Sequence, residues 1–235
     1  MIKVSPEELY DFLSNKKLYY FYHANTVKTS CTLIRQKGLL SRGEIEARGL
    51  PMTTQFSDNI DKQFDVWNDI FFDIVDLHGY FPRQNAYGPV CFKIRNEFLL
   101  DNNLPNICIT KNNPIYWRVG MTEEERYYSS VNEYIAEFEK CMRNNTIQTK
   151  MFTIHSTRKR IPYKKYLAEI ILDNPAVEVN NISLYALAKE ALLTALNDSK
   201  MSAGILKTRI CNNCFCKNNY FNQVSVDELE KLFKP

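Results

Sequence analysis

A mixed α/β fold of the α+β kind is predicted for this chain by three observations. Apolar runs of strand length are few and unevenly spaced. The segments between them are long, and several open with helix-start signatures. No glycine-rich turn follows a strand, which disfavours a Rossmann or P-loop unit. The 235 residues, 45% hydrophobic, suffice for one sizeable core with a small appended subdomain.

The elements follow in order. Residues 5–15 read as a helix: Ser5 caps it, Pro6 suits its first turn, and Glu8 completes a capping box. LYYFYHA (18–24) is a strand. Residues 26–37 form a second helix, with Gly38 expected as its C-terminal cap. Residues 41–58 have the glycine, proline and polar content of a loop. Residues 59–78 carry Ile60, Phe64, Trp67, Ile70, Phe71, Ile74 and Val75 at near-helical spacing and are expected to be largely helical. Tyr87-Gly88-Pro89 marks a turn before the strand VCFKI. Thr122 and Glu125 form a capping box for one long helix over 122–142. MFTIH and YLAEIIL are strands, and residues 181–197 and 225–233 are helices. Residues 1–175 are expected to form the core, with 176–235 a helical, cysteine-containing extension packed on the same domain.

Composition removes several functional classes. The net charge of +3 is only mildly basic. The longest apolar runs fall short of the roughly 20 residues of a membrane span. The first residues lack the pattern of a secretory signal, so a cytosolic protein with no membrane partner is expected. In that compartment the seven cysteines are expected as thiols rather than disulfides.

Few residues can carry chemistry. His23 ends an aromatic strand just before a helix start, a junction suited to a diphosphate; it can equally be a plain helix cap. Glu169 stands inside the apolar strand YLAEIIL, where a carboxylate is either functional or turned outward. Just before it, His155, Arg158, Lys159, Arg160, Lys164 and Lys165 gather with Tyr163 and Tyr166. Cations interleaved with aromatics suit phosphate contact and base stacking, although a solvated basic loop has the same composition.

Two short blocks, LYYFYHA with TVKTSCTLIRQKGLLSR and the late strand YLAEIIL, resemble the DarT-like ADP-ribosyltransferases in order and spacing. VWNDIFFD and YGPVCF loosely resemble that family's middle block. The resemblance covers about the first three-quarters of the chain. It implies an ADP-ribosyltransferase-like split β-sheet core with helical insertions, and NAD as cosubstrate in the cleft. It implies transfer of ADP-ribose to a nucleobase of single-stranded DNA or RNA, a toxin or antiphage role, and a neutralising antitoxin partner. By resemblance, Glu169 is the catalytic carboxylate, and His23 contacts the nicotinamide-side ribose. Asn25 stands where the family has threonine and joins His23 in binding NAD. An arginine after the first helix binds the NAD phosphates or assists at the base; Arg42 is assigned to the cofactor and Arg48 to catalysis, with the alignment open between them. Glu169 or His155 takes the acceptor's proton. Enzymes of this class that modify arginine place Glu or Gln two residues before the catalytic glutamate; Leu167 here disfavours an arginine acceptor.

Cys211, Cys214 and Cys216 have partial zinc-site spacing. With only three cysteines, zinc is the less favoured reading, its fourth ligand coming from Cys141, Cys31 or His155. Two other functions compete. A metal-dependent nuclease would use Asp58, Asp61, Lys62, Asp69 and Asp73; a non-catalytic binding module would keep the cleft and lose the reaction.

Overall fold

The computed structural model describes every residue except 1, 79–83, 103, 105–106, 144–150, 156–159 and 213, and the side chain of 152. Helices are α1 (Pro6–Asn15), α2 (Val27–Arg35), α3 (Arg42–Ala47), α4 (Asp58–Gln63), α5 (Glu123–Arg126), α6 (Val131–Arg143), α7 (Tyr163–Tyr166), α8 (Leu184–Asp198), α9 (Phe215–Asn222) and α10 (Val226–Phe233). Strands are β1 (Tyr20–Asn25), β2 (Gly38–Leu39), β3 (Ile70–Asp73), β4 (Val90–Arg95), β5 (Ile107–Ile109), β6 (Met151–Ile154), β7 (Ile161–Pro162), β8 (Leu167–Asn174), β9 (Glu178–Val179), β10 (Ile182–Ser183) and β11 (Leu206–Ile210).

Seven strands form one sheet in the order β11-β8-β4-β1-β3-β6-β5. Its neighbours are antiparallel except β11 and β8, which run parallel. The sheet is split in its middle. β1 and β4 are in register from Tyr20↔Arg95 to Asn25↔Val90, whereas β1 and β3 meet only at Tyr22↔Asp73. Strands that diverge after one pair leave a gap whose backbone groups need other partners, and that gap opens into the cleft described below. The fold class is thus the mixed α/β one expected, with helical insertions around a split sheet.

Period-two alternation sorts the two faces. His23 is in register with Phe92, and Phe92 with Ile170; both apolar residues are fully buried. Tyr22, Lys93 and Glu169 form the adjacent row, on the opposite face. α8 packs against β8 and α2, and α10 closes over both helices. The C-terminal residues therefore supply a strand of the main sheet and part of its core.

α2 shows why this sequence builds a rigid wall. Thr26 caps it, accepting from the Thr29 amide, and Val27, Cys31, Leu33 and Ile34 are buried. Its buried hydroxyls are used as pegs. Thr32 donates to Pro51 O at 2.6 Å, the Thr53 amide donates to Thr29 Oγ1 at 2.9 Å, and Thr26 donates to Thr53 Oγ1 at 2.8 Å. Buried hydroxyls left unpaired would cost stability, so segment 51–53 is held in one place.

Four local expectations are corrected. Residues 59–78 are not one helix: α4 stops at Gln63, Asp65 takes a left-handed φ of 58°, and Ile70–Asp73 is a strand. The aromatic spacing fits both periods, and burial alternating along Ile70–Asp73 shows that pairing with β6 decided it. The long helix over 122–142 is two: the capping box at Thr122 and Glu125 is present, but Tyr127 is extended and bridges to Thr110 before α6 begins. Burial of Tyr127 and Tyr128 in the core overrides helix propensity. Residues 41–58 are not all loop, because Ser41 caps α3 by accepting from the Glu44 amide. Gly38 is not the left-handed residue after α2. That residue is Lys37, with φ 55°, and Gly38 instead lies in β2 against β7.

Candidate active site

The cleft at the sheet split encloses about 800 Å³ of empty space, the solvent at its open mouth included. Its floor is the end of β1, with Tyr22, His23 and Asn25. One wall is α3 with Arg42, and another carries Gln55, Ser57 and Asp61. Trp67, Asp69, Phe71 and Asp73 line the β3 side, and Tyr87 stands at the β4 side.

Two glycines bring these walls together. Gly43 N–H donates to Trp67 O at 2.9 Å, and a Cβ on Gly43 would lie 2.2 Å from Asn68 Oδ1. Gly88 has φ +139°, and a Cβ there would lie 2.3 Å from Asn25 O. Only glycine permits both that backbone angle and that approach.

His23 bridges the split. Its Nδ1 lies 2.8 Å from Phe71 O, so Nδ1 carries the hydrogen and donates to the carbonyl. Nε2 then accepts from Asn25 Nδ2 at 3.0 Å. The chain continues through Asn25 Oδ1, which accepts from Gln55 at 3.4 Å. These bonds fix one tautomer of a neutral ring. Burial holds the His23 pKa below its ordinary value, opposed by the bond to Phe71 and assisted by the nearby Arg42 cation.

Among the described residues lining the cleft, Arg42 is the cation. One terminal nitrogen donates to Thr53 O at 2.9 Å and to Asp58 Oδ2 at 2.7 Å. The guanidinium lies 5.3 Å from the Trp67 ring. Its Nε and Nη1 are buried without a hydrogen-bond partner. Buried donors on a cation are seldom left unpaired, and a guanidinium with two unengaged nitrogens can donate to phosphate or carboxylate oxygens.

The cleft also holds acids that are easily protonated. Burial, reinforced by Asp76, pushes the Asp73 carboxyl up to about 7. Burial pushes Asp61 up to about 6 against the opposing hydrogen bond from Ser57. Asp69 faces His155 Nδ1 at 3.0 Å.

The structure gathers some expected site residues and separates others. His23, Asn25 and Arg42 share the cleft. Glu169 does not line it. Its carboxylate pairs with Lys93 Nζ at 3.2 Å, and that ammonium lies 4.3 Å from the Tyr20 ring. Glu169 is nonetheless in the row of Tyr22, a cleft residue two strands away, roughly 10 Å at ordinary strand spacing. Arg48 caps the outer end of α3, where Nε donates to Glu44 at 2.6 Å. His155 is turned inward onto Asp69 rather than out toward a polyanion. Arg160 donates to Gln36 O at 2.8 Å, and Lys165 pairs with Asp101 at 3.4 Å. Lys164 is exposed, and Arg158 and Lys159 lie outside the described residues.

Tyr163 and Tyr166 are not available for base stacking. One turn of α7 puts both on the inner face, where Tyr163 stacks on Phe92 at 5.4 Å and Tyr166 donates to Asp101 at 2.7 Å. An exposed aromatic stands elsewhere: Phe56 stacks on Tyr87 at 5.4 Å beside the cleft. The nuclease acids are likewise engaged one by one, Asp58 with Arg42, Asp61 with Ser57 and Asp69 with His155. Among the described residues they form no metal-sized cluster.

Gln55, Trp67 and Tyr87 line the cleft unforeseen, and Asp73, expected only as a nuclease ligand, lines it too. Asp73 had a signal in IFFD, where alternation sets it apart from Ile70 and Phe72; the other three sit on loops whose course depends on tertiary contacts.

No protein-family model matches the chain, and no curated protein matches it. Among solved structures, it is similar to Thermus sp. 2.9 DarT in complex with ADP-ribosylated ssDNA, with a TM-score of 0.50 at 12% identity. The match covers 82% of this chain and 95% of that one. The chain has a DarT-like fold. No described helix is long and apolar enough to cross a membrane.

Proposed function

We propose that the chain is an ADP-ribosyltransferase that moves ADP-ribose from NAD to a nucleobase of single-stranded DNA or RNA and releases nicotinamide. The observation that carries this reading is Arg42, with two buried, unpartnered donors beside a neutral His23 in the cleft of a DarT-like fold. Those donors fit the NAD diphosphate. A ribose hydroxyl can replace the Asn25 amide as donor to His23 Nε2.

Glu169 is the proposed catalytic carboxylate. The bond from ribose C1′ to the nicotinamide nitrogen breaks, its electron pair leaves with neutral nicotinamide, and positive charge builds on the sugar. A carboxylate stabilises that charge by accepting from the ribose 2′-hydroxyl, as acidic groups do in glycoside cleavage. To do so, Glu169 exchanges Lys93 for substrate. The base nitrogen then bonds to C1′ and loses its proton. Asp73, balanced near neutrality, can receive it. Arg42 serves the NAD phosphates, and Arg48 stays outside the chemistry. Lys164 and Arg160 lie on the surface open to a polyanion, and Phe56 offers an exposed ring for a base. Activity of this kind on nucleic acid is toxic to a cell, which suits a role in antiphage defence or a toxin–antitoxin pair with a neutralising protein.

A second reading has one observation in its favour. Glu169 stands outside the cleft lining in an ion pair, as it would in a binding module that holds NAD without reacting. Nicotinamide release separates the two. Purified chain with NAD and a mixed-sequence single-stranded oligonucleotide is expected to release nicotinamide in proportion to oligonucleotide consumed. NAD binding without any release supports the module and overturns the transferase.

A further inference from the structure

We propose that His78, Cys211, Cys214 and Cys216 form a structural zinc site that ties the C-terminal segment to the main sheet. The ligand atoms of these four residues all lie within 4.8 Å of one another. Zinc bonds of ~2.3 Å to sulfur and ~2.0–2.1 Å to nitrogen, at tetrahedral angles, put neighbouring ligand atoms about 3.5–3.8 Å apart. Cys216 Sγ and His78 Nε2 are 3.9 Å apart.

The fourth ligand is not one of those expected from sequence. Cys31 is a wall residue of α2, Cys141 lies in α6, and His155 faces Asp69. His78 comes instead from the chain after β3, 133 residues before Cys211. No local spacing could reveal it.

The surroundings of His78 are an independent observation. Its Nδ1 lies 3.2 Å from Asp173 Oδ2, which leaves Nε2 directed at the cysteines. A carboxylate on the far nitrogen of a ligating histidine fixes its tautomer and raises its basicity. Asp173 is itself held by Arg209 at 3.3 Å, and Arg209 also pairs with Asp76. Cys211 is positioned by its amide, which donates to Asn174 O at 3.0 Å at the end of β8. Cys211 and Cys216 are buried. With four protein ligands and no open position, the site is structural rather than catalytic.

Cys214 and Cys216 are joined as a disulfide, contrary to the expectation of thiols throughout. The disulfide and the zinc complex are two states of the same sulfurs. A phosphine reductant opens the bond: it is oxidised to phosphine oxide with the oxygen of water, and the two sulfurs take up water's hydrogens. On metal binding the three thiols release their protons to solvent.

The experiment uses the full chain, reduced with a phosphine, supplied with zinc and freed of excess by gel filtration. Metal content by mass spectrometry is expected to be one zinc per chain. Cobalt(II) in place of zinc is expected to give the visible spectrum of a tetrahedral thiolate complex in the wild type, which needs no variant to fold. Cys31→Ser and Cys141→Ser are expected to keep the metal, and His78→Ala and Cys216→Ser to lose it. Asp173→Asn is expected to weaken zinc binding about 10–100-fold. A reduced wild type that takes up no zinc, an octahedral cobalt spectrum, or equal loss in Cys141→Ser overturns the site. None of these readouts depends on NAD or on transfer activity.

Discussion

Arg42→Lys probes the cleft most sharply, because it keeps the charge and removes the unengaged guanidinium donors. In the wild type one terminal nitrogen already serves Thr53 O and Asp58, while Nε and Nη1 are buried without a partner. Lysine can still meet Asp58, so the fold should lose about 1 kcal/mol, the scale of one ordinary hydrogen bond. It cannot also supply two coplanar donors to a diphosphate. Each charge-assisted bond contributes about 1.5–3 kcal/mol. Two such bonds sharing one ligand are not additive, so the expected loss is about 2–4 kcal/mol, or roughly 30- to 1,000-fold in NAD affinity. Isothermal calorimetry with NAD gives the affinity, and a thermal melt of the same sample gives the stability. Arg42→Ala is the harsher control: it strands the buried Asp58 carboxylate and should destabilise the fold by about 3–5 kcal/mol. An Arg42→Lys protein that binds NAD as tightly as the wild type would refute the assignment of the open donors to the diphosphate.

Four further outcomes follow from the same geometry. Burial holds His23 neutral in the fold, while the unfolded chain protonates it near pH 6.5; its contribution to stability should be full above that pH and decline below it. Urea melts at pH 5.5 and 7.5 check this, and His23→Gln should flatten the difference. Asp73 has the opposite sign: its folded carboxyl titrates near 7, so its contribution is present at pH below about 4 and is lost as pH rises through 7. Asp73→Asn should remove that slope, as measured by melts across the same range. Gly88→Ala should cost about 2–4 kcal/mol, from the clash with Asn25 O and the disfavoured φ, and lower the melting temperature by about 5–12 °C. Glu169→Gln should leave stability within about 1 kcal/mol, since its ion pair with Lys93 is partly exposed. The same change should slow transfer about 100- to 1,000-fold, measured as nicotinamide released per minute.

The parts of the fold legible in sequence are those fixed by local chemistry. Ser5, Thr26, Thr122 and Ser225 each accept from an amide three residues on and start helices where expected, though the one at Thr122 ends at Arg126. YFYH, VCFKI and LAEIIL have the β-branched and aromatic content of strands and take their places in the sheet. What sequence could not show was decided at long range. Ile70–Asp73 became a strand because β6 lies beside it, and Tyr127 left the helix to bridge Thr110.

The site divides in the same way. His23 was legible because a strand end before a capped helix is a local pattern, Asn25 only through the family resemblance, and both share the cleft with Arg42. Sequence left Arg42 and Arg48 open, six residues apart. The turn of α3 separates them, turning Arg42 inward onto Thr53 and Asp58 and leaving Arg48 on Glu44 outside. Tyr163 and Tyr166 looked like stacking platforms because interleaving with lysines reads as exposure. In a single helical turn, residues three apart share a face, and here that face is the core.

Mass spectrometry of a single-stranded oligonucleotide after incubation with NAD and the purified chain tests the central claim most directly. A gain of one ADP-ribosyl group on a base is expected, absent without NAD and lost with Glu169→Gln. An unmodified oligonucleotide and RNA, with NAD consumed only onto protein or not at all, would contradict it.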